Sequence, residues 1–200
     1  MIEPSPVPAA FTILLVCTGN ICRSAMAERL GRAFLAEVMG EHADEIRIVS
    51  AGTRAVVDSA MHPDSALVLR GFGAQPGDFR ARQLVDGMAT AADLTLTMTR
   101  AHRHEVLQGD PRALARTFTL REAADLLDQL GDTPLDGATL AERARQLVKV
   151  MAAARSERHA GADDDVRDPI GRPIGVHDEV GTMIVQTLLP VLRRIADLRG

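Results

Sequence analysis

One short segment near the start of the chain carries a thiol, a guanidinium and a hydroxyl at close spacing. Cys17 and Arg23 lie six positions apart, and Ser24 directly follows the arginine. The intervening residues are Thr18, Gly19, Asn20, Ile21 and Cys22. A thiolate sulfur can attack phosphorus, and an arginine fork can bind two nonbridging oxygens of a phosphoryl group. The segment therefore predicts a loop that holds a tetrahedral oxyanion in front of an attacking sulfur.

The flanking elements must place this loop where an anion can bind. The continuous apolar run from Phe11 to Val16 predicts a buried strand, and apolar residues at helical spacing from Met26 to Val38 predict a helix that ends near Gly40. The loop would then lie at the carboxyl end of a strand and the N-terminus of a helix, whose amides and dipole favour anions and the Cys17 thiolate.

Individual loop residues suit the same role. Gly19 removes a Cβ where the backbone must approach a ligand, and Asn20 tolerates the left-handed conformation that such loops often need. Ser24 can donate its hydroxyl to the Cys17 thiolate. We therefore expect Cys17 and Arg23 to be catalytic and the remaining loop residues to bind phosphate.

The rest of the sequence alternates between strand and helix patterns. Further strands are predicted at Ile46 to Val49, Asp93 to Met98 and Thr117 to Leu120, with a helix from Pro63 to Leu69 between the first two. Apolar stripes predict two more helices, at Leu140 to Met151 and at Val180 to Ile195, the latter kinked or interrupted by Pro190. This alternation is typical of a single doubly wound α/β domain over 1–200.

Composition excludes several other classes of function. The formal charge is −4 and the chain has no Tyr or Trp, so neither the basic surface nor the stacking platforms of a nucleic-acid binder are present. Two cysteines are too few for a disulfide framework or a zinc site, and the early apolar run is too short and lacks the basic residues of a signal peptide. We expect a cytoplasmic chain with no membrane association, cofactor or metal, and leave its oligomeric state open.

The sequence resembles the low-molecular-weight protein-tyrosine phosphatases, whose signature C-x-G-N-x-C-R-S is matched here by C-T-G-N-I-C-R-S. The resemblance continues at Ser50 to Thr53, Ala81 to Leu84, Ala92-Asp93 and Asp168-Pro169. It implies a Rossmann-like three-layer αβα fold with a four-stranded parallel sheet, a phosphocysteine intermediate on Cys17, Asp168 as general acid, and phosphoprotein substrates.

Three positions depart from the family pattern. Ile170 and Gly171 follow Asp168-Pro169 where many members carry an aromatic residue, and Phe79 replaces a histidine that supports the loop asparagine in some members. The helix predicted within 134–162 is an insertion relative to the compact family pattern, which could cover the cleft or extend the surface. The missing aromatic residue affects the expected substrate preference, and the missing histidine affects the support of Asn20.

The function hypotheses share one fold. Hydrolysis of protein phosphotyrosine is favoured, and the alternatives are a thioredoxin-coupled arsenate reductase, a phosphoarginine phosphatase and a phosphate-binding module without turnover. A reductase needs cysteines beyond Cys17 and Cys22, and the chain has none. The apolar Ile21 favours an aryl group over a guanidinium at the rim of the loop.

Other potentially reactive residues receive simpler interpretations. His102 and His104, two apart on a predicted helix, are expected to lie at the surface, and His177 receives no chemical role. Cys22 is either a small buried hydrophobe or a resolving thiol for oxidised Cys17. The run Asp163 to Asp165 is expected to be a solvated acidic loop, and it is the alternative source of the general acid.

Overall fold

A four-stranded parallel sheet forms the centre of the fold. The computed structural model describes residues 10–158 and 164–199. The strands are β1 (Phe11–Cys17), β2 (Ile46–Gly52), β3 (Leu94–Thr97) and β4 (Thr117–Thr119), and they lie in the order β2-β1-β3-β4. All four strands were predicted, and the Rossmann-like α/β fold is confirmed. The second strand is longer than predicted, because it continues to Gly52.

Within the described residues, seven α-helices connect and cover the strands. They are α1 (Arg23–Met39), α2 (Pro63–Gly71), α3 (Met88–Ala91), α4 (Arg100–Gly109), α5 (Leu120–Leu130), α6 (Leu140–Ala154) and α7 (Ile174–Ala196). Local sequence sets where several of them begin. Pro63 is the first residue of α2, and reciprocal side-chain to backbone bonds between Thr119 and Glu122 and between Thr139 and Glu142 cap α5 and α6.

The sheet has an apolar layer on each face, as the alternation of side chains along β1 requires. Phe11, Ile13 and Leu15 are fully buried in the larger core, which they share with α1, α2, α5, α6 and α7. Leu14 and Val16 belong to a smaller core against α3 and α4. A strand covered on both faces explains why β1 is a continuous apolar run, and it fixes the end of β1 as a rigid support for the loop that follows.

The last helix corrects one prediction. Of the kink or interruption expected at Pro190, the interruption does not occur, since α7 continues through that residue to Ala196, and the kink stays a prediction. Leu188, Val191 and Leu192 are fully buried beside it, and α7 packs against α1, α2 and α5. This packing outweighs the backbone hydrogen bond that the proline cannot donate.

The helix predicted within 134–162 is α6. Its buried residues Leu140, Ala144, Leu147 and Met151 pack onto the larger core. Residues 159–162 of the predicted insertion lie outside the described residues. Within 10–158 and 164–199, no helix combines the length and apolar character that crossing a membrane requires.

Candidate active site

The segment from Cys17 to Arg23 forms a loop between β1 and α1. Cys17 is the last residue of β1, and Arg23 is the first residue of α1. Backbone amides of the segment 53–62 bind the carbonyls of the loop: Thr53 to Cys17 at 2.9 Å, Arg54 to Thr18 at 3.0 Å, Val56 to Gly19 at 3.0 Å and His62 to Ile21 at 2.8 Å. Because the carbonyls are engaged on this side, the N–H groups of the loop remain for a bound anion.

Two positions around the loop depend on special backbone properties. A Cβ on Gly52 would overlap the carbonyl oxygen of Thr18, so β2 approaches the loop at a distance that only glycine allows. Asn20 has φ +54°, which is the left-handed conformation expected for it. The prediction for Asn20 rested on its residue type, whereas the role of Gly52 requires knowledge of the β1–β2 pairing.

Buried polar side chains support the loop from below. The Nδ2 group of Asn20 donates to the hydroxyls of Ser24 at 2.9 Å and Ser50 at 2.8 Å, and its Oδ1 accepts from the Arg82 amide at 2.8 Å. Ser50 in turn donates to the Glu28 carboxylate at 2.6 Å. Asn20, Ser24, Ser50 and Glu28 are each at most 1% exposed. The network satisfies these polar groups and fixes the conformation of the loop.

Phe79 takes no part in this network. None of the hydrogen bonds of Asn20 goes to Phe79, which is buried beneath the guanidinium of Arg29 at 5.6 Å from the ring centroid. Ser50 and the Arg82 backbone support Asn20 instead. That this support differs from the family's stays a prediction.

The sulfur of Cys17 faces a hydroxyl, as its proposed chemistry requires. Cys17 Sγ lies 2.9 Å from Ser24 Oγ, and the cysteine is 2% exposed. A hydroxyl at this distance stabilises a thiolate by donating a hydrogen bond to it. The structure therefore brings Cys17 and Ser24 together as the sequence suggested.

Arg23 and Asp168, separated by 145 positions in the sequence, form an ion pair. A guanidinium nitrogen of Arg23 lies 2.6 Å from Asp168 Oδ2, and the other terminal nitrogen donates to the Val166 carbonyl at 3.1 Å. The Arg23 side chain is 4% exposed, whereas that of Asp168 is 43% exposed. The carboxylate therefore sits at the opening of the site, on the group expected to bind phosphate.

These residues surround one cleft of about 220 Å³. Its walls are Cys17, Thr18, Gly19, Ile21, Cys22, Arg23, Arg54, Val56, Asp168 and Ile170. Every predicted site residue lines the cleft except Asn20 and Ser24, which hold the loop from below. No residue of α6 lines it, so the described part of the predicted insertion does not cover this cleft.

His102 corrects the expectation of a surface histidine. It is 4% exposed and bridges two hydroxyls, with Nε2 2.8 Å from Thr18 Oγ1 and Nδ1 2.9 Å from Thr99 Oγ1. Burial, followed by the positive charge of Arg23, lowers the pKa of His102 from 6.5 to about 4. A neutral imidazole thus positions Thr18. Only His104 is exposed as expected. The available signal was Thr99, an N-cap residue three positions before His102.

The acidic run before Asp168 is solvated only in part where the structure describes it, since Asp165 is exposed as expected and Asp164 is buried. Asp164 is 5% exposed and pairs with Arg158 at 2.6 Å, and Asp165 accepts from the Arg100 amide at 2.8 Å. Asp163 lies outside the described residues. Neither Asp164 nor Asp165 lines the cleft, which leaves Asp168 as the carboxylate beside Cys17 and Arg23.

Cys22 and His177 are both buried, and their side chains approach each other. Burial raises the pKa of the Cys22 thiol to about 11. Its sulfur lies within 4.8 Å of a nitrogen of His62 and of His177. The structure therefore supports the buried-thiol interpretation of Cys22, while its role in resolving oxidised Cys17 stays a prediction.

A cysteine at the end of a parallel strand, followed by an anion-binding loop with its arginine and faced by a carboxylate, defines a cysteine-dependent phosphatase. The family model described as low molecular weight phosphotyrosine protein phosphatase matches residues 12–136, and the chain belongs to this family. Its members are metal-independent hydrolases.

Two sequence relatives and one solved structure illustrate the similarity. The chain is 35% identical over 111 residues to the probable low molecular weight protein-tyrosine-phosphatase EpsP of Ralstonia nicotianae, covering 56% of this chain and 71% of that protein. It is 27% identical over 178 residues to a protein-arginine-phosphatase of Geobacillus stearothermophilus, covering 87% and 91%. A low molecular weight protein tyrosine phosphatase from T. tengcongensis superimposes with a TM-score of 0.65 at 25% identity, covering 92% and 99%.

Proposed function

We propose that this chain hydrolyses phosphotyrosine in proteins through a phosphocysteine intermediate on Cys17. The observation that carries the proposal is the meeting of Cys17, Arg23 and Asp168 at one cleft, although Asp168 is distant in the sequence. The cleft supplies a nucleophile, an anion-binding guanidinium and a proton donor.

In the first step, the Cys17 sulfur attacks phosphorus and the bond between phosphorus and the phenolic oxygen breaks. Asp168, protonated at this stage, donates its proton to the departing oxygen. Arg23 and the loop amides bind the nonbridging oxygens and stabilise the charge of the transition state. The products of this step are the free tyrosine hydroxyl and a phosphocysteine.

In the second step, water attacks the phosphocysteine and the bond between phosphorus and sulfur breaks. Asp168, now a carboxylate, accepts a proton from the water. The hydroxyl of Ser24, 2.9 Å from the sulfur, donates to the departing thiolate. Inorganic phosphate leaves the site and the Cys17 thiolate is regenerated, which completes the cycle.

The ion pair between Arg23 and Asp168 must open when substrate binds. Both groups need new partners, because Arg23 turns to the phosphoryl oxygens and Asp168 to the leaving oxygen. The half-exposed carboxylate is the mobile partner, since the guanidinium is buried and is also held by Val166. The phosphoryl group of the substrate therefore displaces the Asp168 carboxylate from Arg23.

The rim of the cleft supports an aryl substrate. Val56 and Ile170 are each 47% exposed beside Ile21, so the rim offers apolar surface to a ring. Arg54 also lines the cleft, and its side chain is 69% exposed. A second guanidinium there would be repelled by this cation, whereas a phenol would not.

Phosphoarginine hydrolysis is the second candidate. It is supported by the similarity to the Geobacillus stearothermophilus protein-arginine-phosphatase, which extends along 87% of this chain. Glu105 does not line the cleft, but it pairs with Arg54 at 3.3 Å and would offer a guanidinium substrate a carboxylate next to that side chain. The two candidates therefore differ in which member of this ion pair faces the substrate.

The role of Asp168 is tested by varying the leaving group. Asp168→Asn removes the proton donor, so phenyl phosphate should be hydrolysed far more slowly, and nitrophenyl phosphate, whose leaving group departs without protonation, much less so. Asp165→Asn is the matched control, because Asp165 lies outside the cleft. Equal losses for both substrates, or the leaving-group dependence in Asp165→Asn, would assign the acid elsewhere.

Substrate class is tested with two peptides that share a sequence and differ only in phosphotyrosine or phosphoarginine. The phosphotyrosine peptide should have the higher kcat/KM. Arg54→Ser should bring the kcat/KM values of the two peptides closer together, because it removes the charge that repels the guanidinium of phosphoarginine. Cys17→Ser should be inactive on both peptides. A higher kcat/KM for phosphoarginine in the unmodified protein would establish the second candidate.

Location and domain organisation complete the proposal. Both cysteines are free, and the mechanism requires a reduced Cys17, which fits the cytoplasm. The family match ends at residue 136, immediately before α6. The superposition on the T. tengcongensis phosphatase covers 92% of this chain, which supports a single phosphatase domain, and the helix within 134–162 stays a proposed insertion.

A further inference from the structure

Three side chains with metal-binding atoms meet beside the phosphate-binding loop. Cys22 belongs to the loop, His62 precedes α2, and His177 lies in the first turn of α7. One ligand atom from each lies within 4.8 Å of the other two. Neither the proposed reaction nor the family signature uses the two histidines.

His177 presents an unsatisfied nitrogen to this cluster. The residue is fully buried, and its Nδ1 lies 2.9 Å from the Ser65 hydroxyl. Its Nε2 is buried and has no hydrogen-bond partner among residues 10–158 and 164–199, although the Pro169 carbonyl is close to the ring. If Nδ1–H donates to Ser65, Nε2 carries a free lone pair. This arrangement is typical of metal-ligating histidines, whose other nitrogen is held by a polar group.

His62 brings a second imidazole and a neighbouring carboxylate. Its ring stacks on that of His177 at 5.0 Å between centroids, and its Nδ1 accepts only a long 3.3 Å bond from the Asp64 amide. Asp64 Oδ2 lies 3.9 Å from His62 Nδ1 and 3.9 Å from His177 Nε2. The two nitrogens therefore face one carboxylate oxygen.

We propose that Cys22, His62 and His177 bind a Zn²⁺ ion, with the Asp64 carboxylate in reach of the fourth position. One thiolate and two imidazoles are ligands that zinc prefers. In a closed tetrahedral site the ligand atoms lie about 3.3–3.6 Å apart, so the geometry is completed by side-chain shifts of about 1 Å together with a turn of one of the two stacked imidazoles, whose planes now differ by 20°. On coordination the Cys22 thiol releases its proton to solvent, and both imidazoles bind in their neutral form.

Coordination requires the proton of the Cys22 thiol to leave. Burial raises the pKa of the thiol, with Cys17 and Asp168 adding to the effect, while the Ser65 hydroxyl and Arg23 oppose it. Zn²⁺ must therefore displace a proton that burial holds on the sulfur. The sequence alone gave no reason to expect this site, because its ligands are separated by 40 and 115 positions.

Occupancy would affect the neighbouring loop. Coordination engages the Cys22 sulfur and so prevents a disulfide with Cys17. It also ties the loop to the starts of α2 and α7. The site is thus a structural and regulatory one beside the catalytic cleft, and its existence does not depend on which phosphorylated group the enzyme hydrolyses.

The test is a Co²⁺ titration of the untagged, reduced protein, followed by competition with Zn²⁺. We expect one Co²⁺ per chain with visible d–d bands and a near-ultraviolet thiolate-to-cobalt band, both displaced by Zn²⁺. His62→Asn, which removes a partly exposed ligand, should weaken binding at least about tenfold. His104→Asn is the matched control and should bind as the unmodified protein does. Far-UV circular dichroism checks that each variant is folded.

Two cysteine variants distinguish this site from metal bound to the nucleophile. The thiolate-to-cobalt band should persist in Cys17→Ser and vanish in Cys22→Ser. A band that vanishes in Cys17→Ser and persists in Cys22→Ser places the metal on the catalytic cysteine and overturns the proposal. Absence of saturable binding to the unmodified protein, or equal affinity of His62→Asn and His104→Asn, overturns it as well.

Discussion

Asn20→Ala should be among the most destabilising single substitutions in the phosphate-binding loop. Asn20 is the only asparagine of the sequence, and it is fully buried with φ +54°. Alanine removes three hydrogen bonds, to Ser24, Ser50 and the Arg82 amide. At roughly 1 kcal/mol each, these bonds contribute about 3 kcal/mol.

The backbone conformation adds to this loss. A left-handed residue with a Cβ costs roughly 1–2 kcal/mol, and asparagine tolerates that conformation better than alanine. The free energy of unfolding should therefore fall by about 4 kcal/mol, a large fraction of the roughly 5–15 kcal/mol of an ordinary domain. Phosphatase activity should fall further, because Ser24 loses the bond that orients it toward Cys17.

Asp58 supplies a matched control for the conformational contribution. It has φ +63° but is exposed, and its side chain forms no hydrogen bond in the structure. Asp58→Ala should therefore cost only about 1 kcal/mol. The difference between the two alanine variants measures the hydrogen-bond network alone.

The assay is urea unfolding followed by far-UV circular dichroism, because the chain has no Trp or Tyr to report by fluorescence. Equal slopes against urea would show that both variants unfold from comparably folded states. A free-energy loss for Asn20→Ala within about 0.5 kcal/mol of that for Asp58→Ala would refute the argument that the buried network stabilises the loop.

Three further predictions concern the surroundings of the nucleophile. Gly52→Ala should lower stability by about 1–3 kcal/mol and reduce kcat, because its Cβ would displace the Thr18 carbonyl. Arg23→Lys should lower kcat strongly, because the point charge of lysine replaces the bidentate contact of arginine with the transferring phosphoryl group. His102 should make stability depend on acid: its pKa is about 4 in the folded chain against 6.5 ordinarily, so the unfolded chain binds the proton first. The free energy of unfolding should therefore fall by up to about 3 kcal/mol as the pH drops from ~6.5 toward 4. His102→Gln should make the free energy of unfolding depend less on pH in this range.

Each of these has a decisive measurement. Gly71→Ala, which introduces a Cβ into open space, controls for Gly52→Ala, and similar urea midpoints for the two would contradict the steric argument. For Arg23→Lys, a kcat within a few-fold of the original and a raised KM would limit Arg23 to substrate binding. For the histidine, urea midpoints are compared between pH 7.5 and 5, with His104→Gln as control. If the urea midpoint of His102→Gln changes between these pH values as much as that of the unmodified protein, His102 is not the source of the pH dependence.

The sequence predicted those parts of the site that depend on residue type and local order. The run Phe11 to Val16 and the helical spacing after it located the loop, since a strand covered on both faces is continuously apolar. Burial of His102 was not predictable from spacing along its helix, because the packing of α4 under Thr18 decides it. The closeness of Cys22, His62 and His177 was not predictable either, because it depends on how three separate elements pack together.

The long separation between Cys17 and Asp168 has a consequence during protein synthesis. The loop, β1 and α1 emerge from the ribosome first, whereas Asp168 follows 145 residues after Arg23 and α7 comes after it. At about 5–20 residues per second, that interval lasts roughly 10–30 s. A nascent chain that ends before Asp168 has the nucleophile but lacks the acid, and one that ends before α7 also lacks the packing of α7 on α1 and the contact of His177 with Ser65. We therefore expect the complete catalytic site to form only after α7 has emerged and docked.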